Sequence, residues 1–244
     1  MNKSTYKQPE AKGMTPATQL EDLLGLRTPP VAVTFLATPP KNVGRVSATG
    51  PSSCTYWKRA AEGQTFYTEA ADQLNCPIGA YTHGVDLPAA TQQELQGVVN
   101  TMVSLGYLRM AEVPSIPKRD ERFGVAVYAP LKKAPTAPDV VLVCGNARQI
   151  MLLAEAAQAA DVGGDAALMG RPTCAALPAA MQSQRGVASL GCIGNRVYTD
   201  MADDELYYVL PGKRLAAVVE KLAEIVNANC ELEKYHRARV PINV

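Results

Sequence analysis

Residues 50–54, G-P-S-S-C, and 75–81, N-C-P-I-G-A-Y, have counterparts at 170–174, G-R-P-T-C, and 191–198, G-C-I-G-N-R-V-Y. Each copy opens with Gly and Pro shortly before a cysteine. Each closes with a cysteine that runs within two residues into Ile-Gly and then reaches a tyrosine. Cys54 and Cys76 stand 21 residues apart in the intervening chain, Cys174 and Cys192 17. The surroundings match too. The apolar runs P-V-A-V-T-F-L (30–36) and P-D-V-V-L-V (138–143) precede the two copies, and V-Y-A-P-L-K-K (127–133) and Y-V-L-P-G-K-R (208–214) follow them. We read two halves of one duplicated unit, about 15–133 and 138–244, each supplying two cysteines. Chance similarity in a chain rich in Ala, Gly and Pro is the weaker alternative.

Working outward, residues 1–14 read as a mobile arm. Thr15-Pro16 reads as a cap and first helical position, and Gly25 with Pro29-Pro30 ends that helix. Val31–Leu36 is a buried strand, 37–53 a long loop, Cys54–Glu62 a short helix and 65–68 a strand. Pro77 places Cys76 at a helix start, where N–H groups and the dipole favour thiolate. Thr91-Gln-Gln-Glu94 reads as a capping box for a helix ending at Gly106, with no equivalent in the second half. Strand 124–129 follows a proline-bearing connector, 111–122. In the second half, strand 140–143 leads through Gly145-Asn146 into a helix broken by Gly163-Gly164. Thr173 is expected to cap a helix holding Cys174, and strand 187–190 leads into Gly191-Cys192. A strand L-Y-Y-V-L and a last helix, Lys213 to about Arg237, complete the chain. Strands and helices mix throughout, so the class is α/β or α+β: one domain, 15–244, with a mixed sheet flanked by helices.

The 244 residues carry a net charge of +1 and are 47% hydrophobic and 19% charged. No basic stripe points to nucleic acid, and no apolar run approaches a membrane span. The polar start lacks the apolar core of a signal peptide, so the expected compartment is the cytoplasm. Six cysteines in a reducing compartment point to thiols, metal ligands or catalytic groups rather than disulfides.

Cys144, at a strand end, and Cys230, inside the last helix, read as packing residues. Cys54, Cys76, Cys174 and Cys192 all lie in Gly/Pro-marked turns or at helix starts. Four thiolates suffice for an iron–sulfur cluster, with 4Fe–4S the expected type, or for a tetrahedral zinc as runner-up. Gly79 and Gly194 would allow close backbone approach to the cofactor. No C-x-x-C is present, so the ligands would have to meet through the tertiary fold. His83 is a ligand or acid/base candidate, with a polar loop histidine as the bland reading; His236 reads as solvated. Arg148 and Gln149, after the strand ending at Cys144, could hold an anionic substrate group. Asp203, Asp204 and Glu205 read better as a solvated turn than as a cation site. Trp57 and Tyr56 could wall a cofactor or fill the core. No nucleophile elbow, phosphate loop or dinucleotide fingerprint is present.

The runs L-E-D-L-L-G-L-R-T-P-P-V-A-V-T-F, N-C-P-I-G-A-Y and G-C-I-G-N-R-V-Y-T-D-M-A-D-D-E-L-Y-Y-V-L-P-G-K resemble the DUF169 (domain of unknown function 169) family, from about Leu20 to about Val226. The resemblance implies one full-length cytoplasmic domain and points again to Cys54, Cys76, Cys174 and Cys192. It supplies no reaction. The sequence therefore leads to an iron–sulfur protein for electron transfer or for conversion of a small molecule. A thiol enzyme or redox sensor using Cys76 or Cys192, and a small-molecule binding module with structural cysteines, are the alternatives. Expected partners are a small-molecule substrate or a redox partner protein, with no nucleic acid and no membrane; a homo-oligomer is compatible.

Overall fold

The computed structural model describes residues 14–47, 50–163, 167–169 and 171–239. Residues 1–13 of the expected arm and Gly164 of the expected helix break lie outside them. Helix α1 (Pro16–Leu24) is capped by Thr15, whose hydroxyl accepts the Thr18 N–H at 3.3 Å. The first half continues with β1 (Val31–Leu36), the two-residue β2 (Gly44–Arg45), α2 (Cys54–Ala61), β3 (Phe66–Glu69), α3 (Pro77–His83), α4 (Ala89–Ser104) and β4 (Val125–Pro130). The second half contains β5 (Val140–Asn146), α5 (Ala147–Ala159), β6 (Ala167–Met169), α6 (Ala176–Ser183), β7 (Val187–Ser189), α7 (Ile193–Thr199), β8 (Glu205–Pro211) and α8 (Leu215–Arg237).

Among the described residues eight strands form one mixed sheet in the order β2-β3-β4-β1-β5-β8-β7-β6. In each half the first strand is innermost, and the fourth, third and second follow outward. The outermost pairs, β2 with β3 and β6 with β7, are parallel; every other pair is antiparallel. The halves join where β1 meets β5, with Val31 opposite Leu142, Ala32 opposite Val141 and Val33 opposite Val140.

Side chains alternate across these strands, so one strand feeds two cores. Ala32, Val141, Val143, Tyr208 and Leu210 face a core built with α1, α5 and α8. Val31, Val33, Phe35, Val140, Leu142 and Val209 face the opposite core, which holds Tyr56 and Trp57 of α2 and Leu177 of α6. The α/β architecture is thus a sheet between two helical layers. Burial on both faces explains why β1 and β5 read as continuous apolar runs rather than as alternating ones.

The expected loop 37–53 contains the short strand β2, and two expected helix starts differ from the structure. The helix assigned to a capping box at Thr91 begins a turn earlier, after Pro88, because Ala89 and Ala90 are good helix formers and Pro88 readily takes the extended conformation that precedes a helix. Thr91 and Glu94 lie inside α4, so the reciprocal cap does not form. Thr173 caps no helix: Pro172 precedes a 3-10 turn, Thr173–Ala175, that leads into α6.

The helix α4 has no buried residue, whereas Leu153 of α5 is fully buried. Leu153→Ala should lower unfolding free energy by about 2–5 kcal/mol in urea denaturation. Leu95→Ala in α4 should cost under about 1 kcal/mol, since little burial is lost.

Candidate functional site

Each of the four singled-out cysteines lies where a helix or helical turn begins. Cys54 is the first residue of α2, and its N–H donates to Ser52 Oγ at 3.3 Å. Cys76 caps α3, its sulfur accepting the Gly79 N–H at 3.3 Å. Cys174 lies in the 3-10 turn before α6, and Cys192 precedes α7. Two contacts tie the turns of each half together. A Cβ on Gly79 would stand 2.4 Å from Ser53 Oγ, so only glycine lets α3 approach the start of α2. In the second half Thr173 Oγ1 accepts the Cys192 N–H at 2.6 Å. Across the halves α2 packs on α7, and α3 packs on α6 and the turn before it. Gly194 is not crowded: a Cβ there would meet only Tyr198, at 3.8 Å.

All six cysteines are free, and Cys54, Cys76, Cys174 and Cys192 line one cavity of about 970 Å³. Burial pushes the Cys54 thiol up to about 12; the Asn195 side chain opposes this, and ionised Cys192 and Cys76 would add to it. Burial also raises Cys174 well above the ordinary thiol range, with Cys54, Cys76 and Cys192 each contributing in the same direction. Cys54 and Cys174 therefore each lie within electrostatic reach of the other three sulfurs. Among the described residues no three Cys, His, Asp or Glu side chains form a group that could hold a single metal ion.

The remaining candidates lie elsewhere. Arg148 pairs with Glu233 of α8 at 2.8 Å, and Gln149 accepts the Asn146 N–H and donates to the carbonyls of Leu24 and Gly25. Neither lines the cavity; Gln149 joins α5 to the end of α1. His83 is not a loop residue but the last residue of α3, fully buried edge-on to Phe35 at 5.7 Å. Its Nδ1 stands 3.4 Å from Gln73 Oε1, while Nε2 has no partner among the described residues. Burial, helped by the Arg119 charge, pushes His83 down to about 4. Tyr56 and Trp57 are core, Glu205 pairs with Arg27 at 2.6 Å, and Cys144 is half-buried opposite Tyr207.

Sequence reasoning missed Asn195, Arg171 and the apolar stripe of α4. Asn195, three residues after Cys192, lines the cavity at 1% exposure, yet neither amide atom forms a hydrogen bond among the described residues. Its amide nonetheless opposes the rise of both the Cys54 thiol and the Tyr207 hydroxyl, so it lies beside the two. Its place one helical turn beyond a cysteine was the available signal.

The chain matches the DUF169 family, described as uncharacterised ArCR, over residues 19–221, and it belongs to that family. All four cavity cysteines fall inside the matched span. It is similar to an uncharacterised protein of Methanocaldococcus jannaschii, MJ0308, with 28% identity over 164 residues covering 62% of this chain and 67% of the relative. No solved structure matches.

His83 makes stability depend on pH. Between about pH 4 and 6.5 the unfolded chain binds a proton that the folded one refuses. Its contribution is complete above that window and falls by as much as about 3 kcal/mol as the pH drops through it. The stability advantage of wild type over His83→Gln in urea denaturation should therefore shrink from about pH 7 to about pH 4.5. An advantage constant with pH would remove His83 from the acid response.

Proposed function

We propose that this DUF169 chain is an iron–sulfur protein whose cluster is held by Cys54, Cys76, Cys174 and Cys192. The observation that carries the reading is the meeting of four free thiols, two from each half, on the wall of one cavity. The backbone N–H that Gly79 donates to Cys76 is of the kind that stabilises thiolate and tunes a cluster potential. When bound, a cluster supplies one-electron chemistry, and an iron lacking a thiolate supplies a Lewis acid.

The chain's own residues prepare the site. Thr173 holds the Cys192 turn against Cys174, and Gly79 lets the Cys76 turn close on Ser53. Burial keeps Cys54 and Cys174 protonated when nothing is bound, which weighs against either as a nucleophile. A cation reverses that preference, so loading releases protons and strengthens as pH rises. The shared strand order of the two halves supports descent from one duplicated unit, with each copy contributing two ligands. A reducing compartment suits six free thiols, and among the described residues no helix is long and apolar enough to cross a membrane.

Protein purified without oxygen and reconstituted with iron and sulfide should be brown and contain the two in similar amounts. Single Cys→Ala changes at 54, 76, 174 and 192 should each lose or convert the cluster, whereas Cys144→Ala and Cys230→Ala should retain it. Wild type that stays colourless after reconstitution, or four variants with unchanged iron, would overturn the assignment.

A further inference from the structure

We propose that the cysteine-lined cavity is a binding chamber for a small carboxylic acid with an apolar chain or ring, and that Arg171 selects its charge. The proposal shares its site with the iron–sulfur reading and names the substrate class of that site.

The first observation is the inner face of α4. Leu95, Val98, Val99 and Met102 stand at i, i+3, i+4 and i+7, and all four line the cavity. That spacing normally marks the stripe by which a helix joins a core. Here the helix has no buried residue, and the stripe faces open space instead. At about 970 Å³ the space is at the upper end of small-molecule sites, roughly 300–1,000 Å³.

The second observation is charge. Of the cations lining the cavity, Arg119 pairs with Glu121 and Arg122 with Asp86. Among the described residues Lys118 forms no ion pair, and Arg171 meets only Glu112, at 3.8 Å, while Arg109 holds that carboxylate more closely at 3.1 Å. The Arg171 guanidinium lies 4.6 Å over the Tyr107 ring, a contact that restrains its plane, and its Nη2 reaches Glu112 only at 3.8 Å. Glu94 and Asp120 also face the cavity, so the anion is placed by Arg171 rather than by the cavity's net charge.

The third observation is Asn195, buried on the same wall beside Cys54 and Tyr207, with no hydrogen bond to either amide atom among the described residues. A buried polar group without a partner costs free energy until something bonds to it. An inorganic anion would leave the α4 stripe bare, and a neutral apolar molecule would leave Arg171 and Asn195 unanswered. A carboxylate carrying an apolar body satisfies all three. Arg171 stands three residues before Cys174 in the chain and packs on Tyr107, just beyond the end of α4, so it links the Cys174 turn to the α4 wall.

The test is calorimetric titration of the full chain with octanoate, octanol and acetate, with iron assayed on the same samples. Octanoate should saturate one site. Acetate, without a body, and octanol, without a charge, should bind at least about tenfold more weakly, the scale of one charge-assisted contact or a few buried methylenes. Arg171→Gln should weaken octanoate by a similar factor and leave octanol unchanged. Leu95→Glu should weaken both, and thermal melts should show both variants folded. No octanoate binding by wild type, equal affinity for octanol and octanoate, or an unaltered Arg171→Gln variant would each overturn the proposal. Protein that stays iron-free after anoxic reconstitution yet takes octanoate would remove the cluster and keep the chamber; a cluster-bearing protein that ignores octanoate would do the reverse.

Discussion

Three antiparallel residue pairs between β1 and β5 join the two halves, and the positions of the cysteines depend on them. Two antiparallel strands at the centre of a sheet relate their neighbourhoods by an approximate two-fold turn. The helices after β1 and β5 that carry cysteines therefore fall on the same face, and their first turns meet. The register is held by Asp139, immediately before β5. Its carboxylate accepts the Phe35 N–H at 2.8 Å, its own N–H donates to the Val33 carbonyl, and its carbonyl accepts the Gly212 N–H. A slip of one residue would turn every apolar side chain of β5 to the wrong face.

At the cysteines two electrostatic effects compete. A helix start favours thiolate by about 0.3–1 kcal/mol, rising to about 2 in partly buried settings. Raising Cys54 from 9 to about 12 corresponds to roughly 4 kcal/mol against ionisation. At Cys54 burial wins, and the thiol is favoured over the thiolate.

The features legible in the sequence were those set by local chemistry or by burial of a whole strand. Thr15-Pro16 and Asn146 declare their helices through their own side chains, and Val31–Leu36 is apolar because both faces are covered. The cysteine turns stand out in the sequence by their Gly and Pro neighbours, and all four line one cavity. What escaped depends on partners distant in sequence. Thr173 has the look of a helix cap but bonds to Cys192, 19 residues on. Arg148 has the position of a ligand-binding residue but reaches α8, 85 residues away. His83 stands among polar neighbours in sequence and is enclosed only once Phe35 and Arg119 close over it.

The two inner strands and α4 also differ in how they come apart. Amides of β5 are held on both sides, by β1 and by β8, and are released only when the sheet itself opens. Amides of α4 belong to a helix anchored by no buried side chain, so they exchange with solvent through a local opening that leaves the sheet intact. The wall of the cavity can thus lift on a timescale of its own, separate from global unfolding. Opening of the cavity wall and the lifetime of the fold are set by different parts of the molecule.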